Sequence, residues 1–293
     1  MTKRVQLFYN PYSGSFSRRR LDALAGAYAD SGFTCILTES SFKSPASLEA
    51  GVDQICIAGG DGTVRQVINR FSRETQAAPF FIYPMGTVNL IALEQGSPRD
   101  PRAFVQQTVS GPPHSFYPVH FSDTQFLVCA SIGPDSIAVS VLSERLKRYT
   151  GRLAYGIALL QQIFRWPRPA IEVIAPGRSF MCEALYIAKG RYFAGRWSFA
   201  PDARLDQPLL HVVALKRARR RDFFAFILAM ISGRVDRLNN AMCFTCVELE
   251  LRSDHAWPMQ ADGDFAANLP SRIKIDMHAI NARSPVPGGR GWD

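Results

Sequence analysis

Three glycines, an aspartate and a threonine form the segment Gly59-Gly60-Asp61-Gly62-Thr63, between a short apolar run and a helical pattern. Glycine has no Cβ atom, so a turn of this composition lets an anion approach the backbone N–H groups closely. The helix that follows adds the positive end of its dipole at the same point. The segment therefore predicts a phosphate-binding loop, and an ordinary tight strand-to-helix turn is the structural alternative.

Asp61 puts a carboxylate into this loop. A carboxylate next to a phosphate repels it unless a cation such as Mg²⁺ or a substrate hydroxyl lies between the two groups. Asp61 thus favours a site that holds more than a phosphate alone.

Two further turns combine glycine with Ser, Thr or Asn directly after a predicted strand. They are residues 9–15 (YNPYSGS) and 83–92 (YPMGTVNLIA). Open parallel sheets bind ligands at the carboxyl ends of their strands. We therefore predict that the three turns meet at one phosphate site.

Strand and helix patterns alternate through the first third of the chain, which is typical of a parallel sheet with helices on its faces. The predicted strands are Val5–Asn10, Thr34–Thr38, Gln54–Ala58 and Phe80–Pro84, and a helix is predicted over Phe16–Asp30. After the glycine loop, Val64, Val67, Ile68 and Phe71 recur at helical spacing, with Thr63 placed to start the helix. We expect a Rossmann-like three-layer α/β domain over residues 1–114.

From residue 115 onward, alternating strand patterns dominate and predict a mostly antiparallel β-sandwich over residues 115–283. The predicted strands are Phe116–Phe121, Gln125–Ala130, Ile171–Ala175, Glu183–Ala188, Leu209–Leu215, Cys243–Leu251 and Ile273–Ile280. Helices are expected near 136–147, 152–164 and 221–232. Residues 284–293 lack apolar periodicity and are expected to be a flexible tail. A cleft between the two domains is the default ligand site.

The net charge of +9 over 293 residues favours an acidic partner. One basic run, residues 216–221 (KRARRR), leads directly into the apolar segment DFFAFILAMI. Such a segment can lie in the interface of an anionic membrane, or it can be a core helix with a solvated, charged start. The basic runs lack interleaved aromatic residues, so nucleic-acid binding is not expected.

The chain begins with a strand rather than a secretory signal, and it has no run of about twenty apolar residues. We therefore expect a cytoplasmic protein that lies peripherally at the inner membrane face. The six scattered cysteines are typical of buried thiols. Cys243 and Cys246 form a lone CxxC, for which core packing is favoured over zinc, and no residues are assigned to a metal site.

The ordered motifs NPYSG (10–14), GGDGTVRQVIN (59–69) and PMGTVN (84–89) resemble the catalytic-domain signature of the diacylglycerol kinase, sphingosine kinase and ceramide kinase family. Its soluble bacterial members are the most similar. The segments RLKRYTGRLAY (145–155), APDARLDQPLLHVVAL (200–215) and ADGDF (261–265) follow in the family's order, so the resemblance covers nearly the whole chain.

The resemblance implies ATP-dependent phosphorylation of a lipid hydroxyl, with ATP and Mg²⁺ as cofactors. It places Asp264 at the position of the family's acidic general base and leaves Asp262 to shape the turn. Asp61 is our next candidate for the catalytic residue if the base is not Asp264. The expected nucleotide-binding residues are Asn10, Ser13, Thr38, Gly59, Gly60, Asp61, Gly62, Thr63, Val64, Arg65, Thr87 and Asn89.

Three positions depart from the family pattern. Gln66 stands where the helix usually carries an acidic residue, and Asp264 stands where a glutamate is usual. Gln207 replaces an aspartate that helps to hold a structural Mg²⁺ in bacterial members. A neutral amide binds hard cations more weakly than a carboxylate, so we expect this metal site to be weakened or absent.

Several alternatives stay open. An NAD-kinase-like enzyme shares the glycine loop, and a catalytically degenerate protein could still bind lipid or nucleotide. Diacylglycerol-like lipids, sphingoid bases and ceramide all offer a suitable hydroxyl, and the departures favour a less common acceptor such as ceramide. The partners expected are a lipid at the surface of an anionic membrane and, as an open alternative, a second copy in a homodimer.

Overall fold

The computed structural model describes residues 2–41, 47–71, 78–111, 113–122, 124–141 and 168–283. The chain divides into two compact units, one of residues 1–116 with 279–293 and one of residues 117–278. The predicted helix at 152–164, the end of the helix predicted at 136–147 and the predicted tail at 284–293 lie outside the described residues.

A six-stranded sheet forms the centre of the first unit. Its strands are β1 (Lys3–Tyr9), β2 (Phe33–Glu39), β3 (Gln54–Gly59), β4 (Phe80–Pro84), β5 (Pro113–Phe116) and β18 (Ile280–Arg283). They lie in the order β2-β1-β3-β4-β18-β5. All neighbours pair in parallel except β18 and β5, which are antiparallel.

Helices cover both faces of this sheet. They are α1 (Arg18–Asp30), α2 (Asp61–Phe71), α3 (Leu90–Glu94) and α4 (Pro101–Ser110). One face buries Leu7, Cys56 and Phe81 in a cluster with residues of α1 and α4. On the other face the ring of Phe8 lies 5.4 Å from that of Phe71 in α2. Because side chains alternate along a strand, each strand supplies both layers, and the predicted three-layer α/β domain is confirmed.

The second unit contains two antiparallel six-stranded sheets. The first has the order β10-β9-β14-β17-β6-β7 and the second β13-β12-β11-β8-β15-β16. The strands are β6 (Val119–Phe121), β7 (Thr124–Phe126), β8 (Cys129–Ile132), β9 (Ile171–Ala175), β10 (Arg178–Cys182), β11 (Ala184–Ala188), β12 (Leu210–Leu215), β13 (Ala241–Cys246), β14 (Glu248–Arg252), β15 (Pro258–Ala261), β16 (Asp264–Asn268) and β17 (Ser271–Ile275). Residues of both sheets share one buried cluster, which includes Val173, Leu251, Leu185 and Val212. The predicted sandwich is confirmed.

Two helices of the second unit are described, α5 (Pro134–Val141) and α6 (Arg220–Ile231). α6 buries Phe223, Phe226 and Met230 against the outer face of the second sheet, where the ring of Tyr186 stacks on Phe226 at 4.5 Å. The helix predicted at 221–232 is therefore confirmed within one residue at each end.

Four predicted strands are wrong as single elements. Phe116–Phe121 divides into β5 and β6, Gln125–Ala130 into β7 and β8, Cys243–Leu251 into β13 and β14, and Ile273–Ile280 into β17 and β18. In each case the two parts belong to different sheets. A chain that crosses between sheets keeps its apolar character, so the sequence pattern does not mark the crossing.

Of the other bounds that differ from the prediction, two are informative. α2 begins at Asp61 rather than at Thr63, and the Gly60 carbonyl accepts the Val64 N–H at 3.0 Å. β18 lies in the first unit, although it was predicted in the second domain, because it pairs with β4 and β5.

Candidate active site

The three glycine-containing turns of the first unit lie at the carboxyl ends of neighbouring strands. β3 pairs with β1 on one side and with β4 on the other. Where β3 and β4 end, the Met85 N–H donates to the Gly59 carbonyl at 3.0 Å. The structure therefore brings the predicted turns together at the edge where open parallel sheets bind ligands.

Close contact between two backbones explains two of the glycines. A Cβ atom on Gly60 would lie 3.0 Å from the Gly86 Cα, and one on Gly86 would overlap the backbone of Gly60. Gly59 has a similar constraint, because its Cβ would lie 2.6 Å from the Cβ of Thr63. Close packing is thus one reason for glycine at these positions, as it would be in an ordinary tight strand-to-helix turn. The absence of side chains at these glycines also leaves the backbone of the loop uncovered.

Hydroxyl and amide groups gather beside this contact. Thr63 Oγ1 lies 3.3 Å from Asn10 Nδ2 and 3.3 Å from Ser13 Oγ. A Cβ atom on Gly14 would overlap the Thr87 hydroxyl. Asn10, Ser13, Thr63 and Thr87 therefore form one polar cluster at the start of α2, where the first N–H groups of a helix have no partner within it.

The Asp61 carboxylate caps the start of α3. It accepts the Leu90 N–H at 2.9 Å and the Ile91 N–H at 3.0 Å, one with each oxygen. A carboxylate at a helix N-terminus is stabilised by the helix dipole. This gives Asp61 a structural role that the sequence did not indicate, since the link spans about thirty residues.

Asn89 closes the third turn. It is buried, it adopts a left-handed φ of 59°, and its side chain bonds to both the N–H and the carbonyl of Gly86, each at 2.7 Å. These bonds shape the turn that carries Gly86, so Asn89 supports the cluster through the backbone.

The remaining predicted residues lie around the same edge. Thr38 is at the end of β2, where its hydroxyl accepts from Gln6 Nε2 at 2.9 Å. Gly62, Val64 and Arg65 lie in the first turns of α2. Val64 is buried in the core, so only its backbone can face a ligand.

Arg20 is a residue of this edge that sequence reasoning missed. Its Nη2 donates to the Pro84 carbonyl at 3.0 Å and to the Tyr83 hydroxyl at 3.2 Å, at the end of β4. Ser17 caps α1, which places Arg20 in the first helical turn, beside the carboxyl ends of the strands. The sequence feature that could have indicated Arg20 is its place in the first turn of a helix that follows a predicted strand.

The second unit holds the acidic turn Asp262-Gly263-Asp264. The Asp262 carboxylate is buried and accepts three backbone N–H groups, from Leu127 at 2.9 Å, Val128 at 2.8 Å and Cys129 at 3.1 Å. Asp262 thus joins this turn to the chain between β7 and β8. Asp264 is partly exposed at the first position of β16.

A chain of side-chain hydrogen bonds supports the same turn. Gln260 Oε1 accepts the Gly263 N–H at 2.9 Å, and Gln260 Nε2 donates to Ser131 Oγ at 2.9 Å. Ser131 in turn donates to the Asp135 carboxylate. Burial raises the pKa of Asp135, and the Ser131 hydrogen bond opposes this effect. Sequence reasoning missed Gln260 and Asp135, which are joined only by the folding of distant segments.

The described residues contain no cluster of three or more His, Cys, Asp or Glu side chains that could hold a metal ion. Cys243 and Cys246 are both free thiols in β13; Cys246 is buried, but Cys243 is exposed, so the prediction of core packing is wrong for Cys243. Asp206 and Gln207 are exposed, whereas Lys189 is fully buried behind them and donates to the carbonyls of Arg204 and Leu205.

Two protein families match this chain. The "Diacylglycerol kinase catalytic domain" matches residues 4–119, and the "YegS C-terminal NAD kinase beta sandwich-like domain" matches residues 129–282. The chain belongs to the family of bacterial lipid kinases that combine these two domains. It is therefore a kinase, as the resemblance of the motifs predicted.

Named relatives agree with this assignment. A diacylglycerol kinase of Staphylococcus carnosus is 23% identical over 95% of this chain and 94% of its own length. One of Staphylococcus aureus is 22% identical over 95% and 91%. The fold resembles that of a Bacillus anthracis crystal structure described as a diacylglycerol kinase, with a TM-score of 0.72 at 18% identity over 94% of each chain.

No helix among the described residues is long and apolar enough to span a membrane.

Proposed function

We propose that this kinase transfers the γ-phosphoryl group of ATP to the hydroxyl of a membrane lipid, with diacylglycerol as the first candidate acceptor. The observation that carries the proposal is the Gly60–Gly86 contact, with Asn10, Ser13 and Thr63 grouped beside it. A bare backbone, hydroxyl groups and a helix start are the features that bind phosphates. The residues present therefore fit a nucleotide.

The acceptor hydroxyl needs a base. In the proposed reaction the lipid oxygen forms a bond to the γ-phosphorus, the bond to the β–γ bridging oxygen breaks, and ADP leaves. The hydroxyl proton passes to the carboxylate of Asp264. Asp262 cannot readily serve, because its oxygens already accept three backbone N–H groups. Mg²⁺ bound with ATP would neutralise phosphate charge, as phosphoryl transfer generally requires.

A lipid substrate requires access to a membrane surface, for which α6 offers a suitable face. Phe224, Leu228 and Ile231 are exposed by 48%, 67% and 48%, on the side of α6 away from the sheet. An exposed basic run leads into the helix: Arg217 and Arg219 precede it, and Arg220 and Arg221 are its first two residues. Exposed apolar side chains next to arginines are complementary to an anionic membrane interface. We propose that α6 binds there.

Vesicle sedimentation tests this surface. Leu228→Asp should weaken binding to anionic vesicles at least tenfold, because it places a charge in the apolar interface. Met181→Asp is the control, since Met181 is also an exposed apolar residue of the second unit, 57% exposed, but lies on β10. Equal loss in both variants, or equal binding to neutral and anionic vesicles, would exclude the α6 surface.

An acceptor panel tests the proposed reaction. ATP is supplied with diacylglycerol, ceramide, a sphingoid base or NAD, and products are identified by mass spectrometry. We expect a phosphorylated lipid. NAD is included because the sandwich family's description names NAD kinase, and a phosphorylated nucleotide as the sole product would replace the lipid proposal. ATP binding without any product would support the degenerate alternative.

A further inference from the structure

Lys189 is a lysine buried completely within the second unit, with 0% of its surface exposed. Its Nζ donates to the Arg204 carbonyl at 2.6 Å and to the Leu205 carbonyl at 2.8 Å. Lysine is almost never fully buried unless its charge has partners. The position is therefore built to hold a positive charge against these two carbonyls.

The surroundings of Lys189 hold it in one place. The N–H groups of Lys189 and Gly190 both donate to the Val128 carbonyl, at 2.7 and 2.9 Å. The Leu205 carbonyl also accepts the Tyr117 N–H at 3.3 Å, and the Tyr117 ring lies 5.9 Å from Nζ. An aromatic ring at this distance attracts a cation.

The same segment is where the family resemblance implies a structural Mg²⁺. Mg²⁺ needs near-octahedral oxygen ligands and is usually held by carboxylates. Here Gln207 supplies a neutral amide, and the Arg204 and Leu205 carbonyls already bond to Lys189 Nζ. A divalent ion at these oxygens would also meet the ammonium at close range, where like charges repel strongly. The residues present do not fit the ion.

We infer that Lys189 provides the positive charge of this segment, so that residues 204–208 need no structural metal ion. The charge of Lys189 also acts on His211. Burial is the main cause that lowers the pKa of His211, the Asp202 carboxylate opposes this effect, and the Lys189 ammonium lowers the pKa further. This holds for residues 204–208 only and does not extend to Mg²⁺ that binds together with a nucleotide.

This internal cation is connected to the acidic turn. The Val128 N–H donates to Asp262, while the Val128 carbonyl accepts from Lys189 and Gly190. Lys189 therefore joins segment 204–205 to Val128. The N–H of Val128 holds Asp262, and Asp262 anchors the turn that carries Asp264. A metal ion in this place would make the turn depend on divalent ions, whereas a lysine makes it independent of them.

Thermal unfolding without nucleotide, at constant ionic strength with EDTA or excess Mg²⁺, tests the inference. Three variants are compared with the parent: Gln207→Asp, Gln207→Asp with Lys189→Asn, and Gln207→Asp with Lys274→Asn. The last is the control, because Lys274 is an exposed lysine of β17. All three variants keep or add oxygen ligands, but only one removes the buried ammonium.

Parent, Gln207→Asp and the control should shift by less than about 1 °C with Mg²⁺, since the ammonium still excludes the ion. The Lys189→Asn double variant should gain roughly 5–10 °C at a hundredfold excess over its Kd. Refolding of that variant only in Mg²⁺ supports the inference equally.

A shift of several degrees in the parent or in Gln207→Asp alone would overturn the inference, and so would a folded Lys189→Asn double variant that ignores Mg²⁺. If the double variant stays unfolded in both conditions, the parent and Gln207→Asp decide the question. None of these outcomes depends on ATP or on an acceptor lipid, so failure here is distinguishable from failure of the proposed function.

Discussion

The region of the glycine-containing turns in the first unit, here called the loop region, and the acidic turn of the second unit are built in different ways. The loop region is formed by turns that each follow their own strand, and its key contact joins Gly60 to Gly86. The acidic turn depends on partners far away in sequence, since Asp262 bonds to residues 127–129. The first region is therefore held by close packing between turns that each follow a strand, and the second by hydrogen bonds to residues more than 130 positions away in sequence.

The difference separates two kinds of residue within the acidic turn. The side chains of Asp262 and Gln260 are buried and hydrogen-bonded within the unit, and that of Asp264 is partly exposed at the start of β16. Substitutions that probe chemistry and substitutions that probe stability should thus fall on different residues there. In the loop region the same glycines can serve both purposes.

The largest effect is expected from Asp264→Asn. The amide keeps the volume of the carboxylate but cannot accept the hydroxyl proton, so kcat should fall roughly 10²–10⁴-fold. ATP affinity and the melting temperature should stay near the parental values. Steady-state kinetics with the preferred lipid, together with calorimetric ATP titration, provide the measurement.

Asp262→Asn is the matched control for that experiment. Its new NH₂ group would face a backbone N–H donor, which costs about 1–3 kcal/mol of unfolding free energy. The rate per folded molecule should change much less than in Asp264→Asn. If Asp264→Asn keeps most of its turnover while Asp262→Asn loses it, the two roles are reversed.

Gly86→Ala should have the next largest effect. Its Cβ would overlap the Gly60 backbone, and such overpacking typically costs about 1–3 kcal/mol. Gly26→Ala is the control, because a Cβ there meets nothing within 4 Å and Ala is the better helix former in α1. Denaturant unfolding should show loss for Gly86→Ala and a small gain for Gly26→Ala. Equal stabilities would contradict the proposed packing of the two turns.

The same contact changes how the loop should be tested. A branched side chain at Gly60 would disturb Gly86 as well as a bound phosphate. A loss of ATP binding in Gly60→Val therefore could not be assigned to the ligand alone, so a hydroxyl of the cluster is the better probe.

Thr63→Val removes that hydroxyl and keeps the branched shape. Thr63 Oγ1 contacts Asn10 and Ser13, so its loss should loosen the cluster and raise KM for ATP roughly fivefold, equivalent to about 1 kcal/mol for one hydrogen bond. kcat should change little. Thr63→Ser keeps the hydroxyl and should restore KM, and a Ser variant as impaired as Val would show that the effect is packing.

The smallest effect concerns pH and Asp135. Burial raises the pKa of this carboxyl in the folded state, so the folded protein binds more protons than the unfolded chain above the unfolded pKa. The stability contribution of Asp135 should therefore fall as pH rises from about 4 through the folded pKa. Asp135→Asn removes this titrating carboxyl. Its melting temperature should depend less on pH as the pH rises from about 4 through the folded pKa of the parent, and parallel curves for parent and variant would contradict the assignment.

The sequence predicted the loop region better than the acidic turn. All four parallel strands and the convergence of the turns followed from the alternation of apolar runs with glycine-rich turns. The role of Asp61 could not be predicted, because its backbone partners in Leu90 and Ile91 become adjacent only on folding. The start of α2 was predicted two residues late because Thr63 was taken as the residue that starts the helix.

In the second unit the predicted sandwich was right, but its strand boundaries were not. Runs such as Cys243–Leu251 keep apolar residues at strand-like spacing while the chain passes from one sheet to the other at Val247. β10, β15 and β16 were missed, and β16 carries Asp264. Lys189 was also missed, since nothing in its local sequence shows that its ammonium meets the carbonyls of residues 204 and 205.

The most direct test of the central claim follows oxygen atoms from ATP into the lipid. The protein is incubated with diacylglycerol and ATP labelled with ¹⁸O throughout its γ-phosphoryl group, and the extracted lipid is analysed by mass spectrometry. The account predicts a phosphorylated lipid in which the three non-bridging phosphoryl oxygens are heavy and the ester oxygen, which came from the lipid hydroxyl, is light. Heavy inorganic phosphate with unmodified lipid would contradict it.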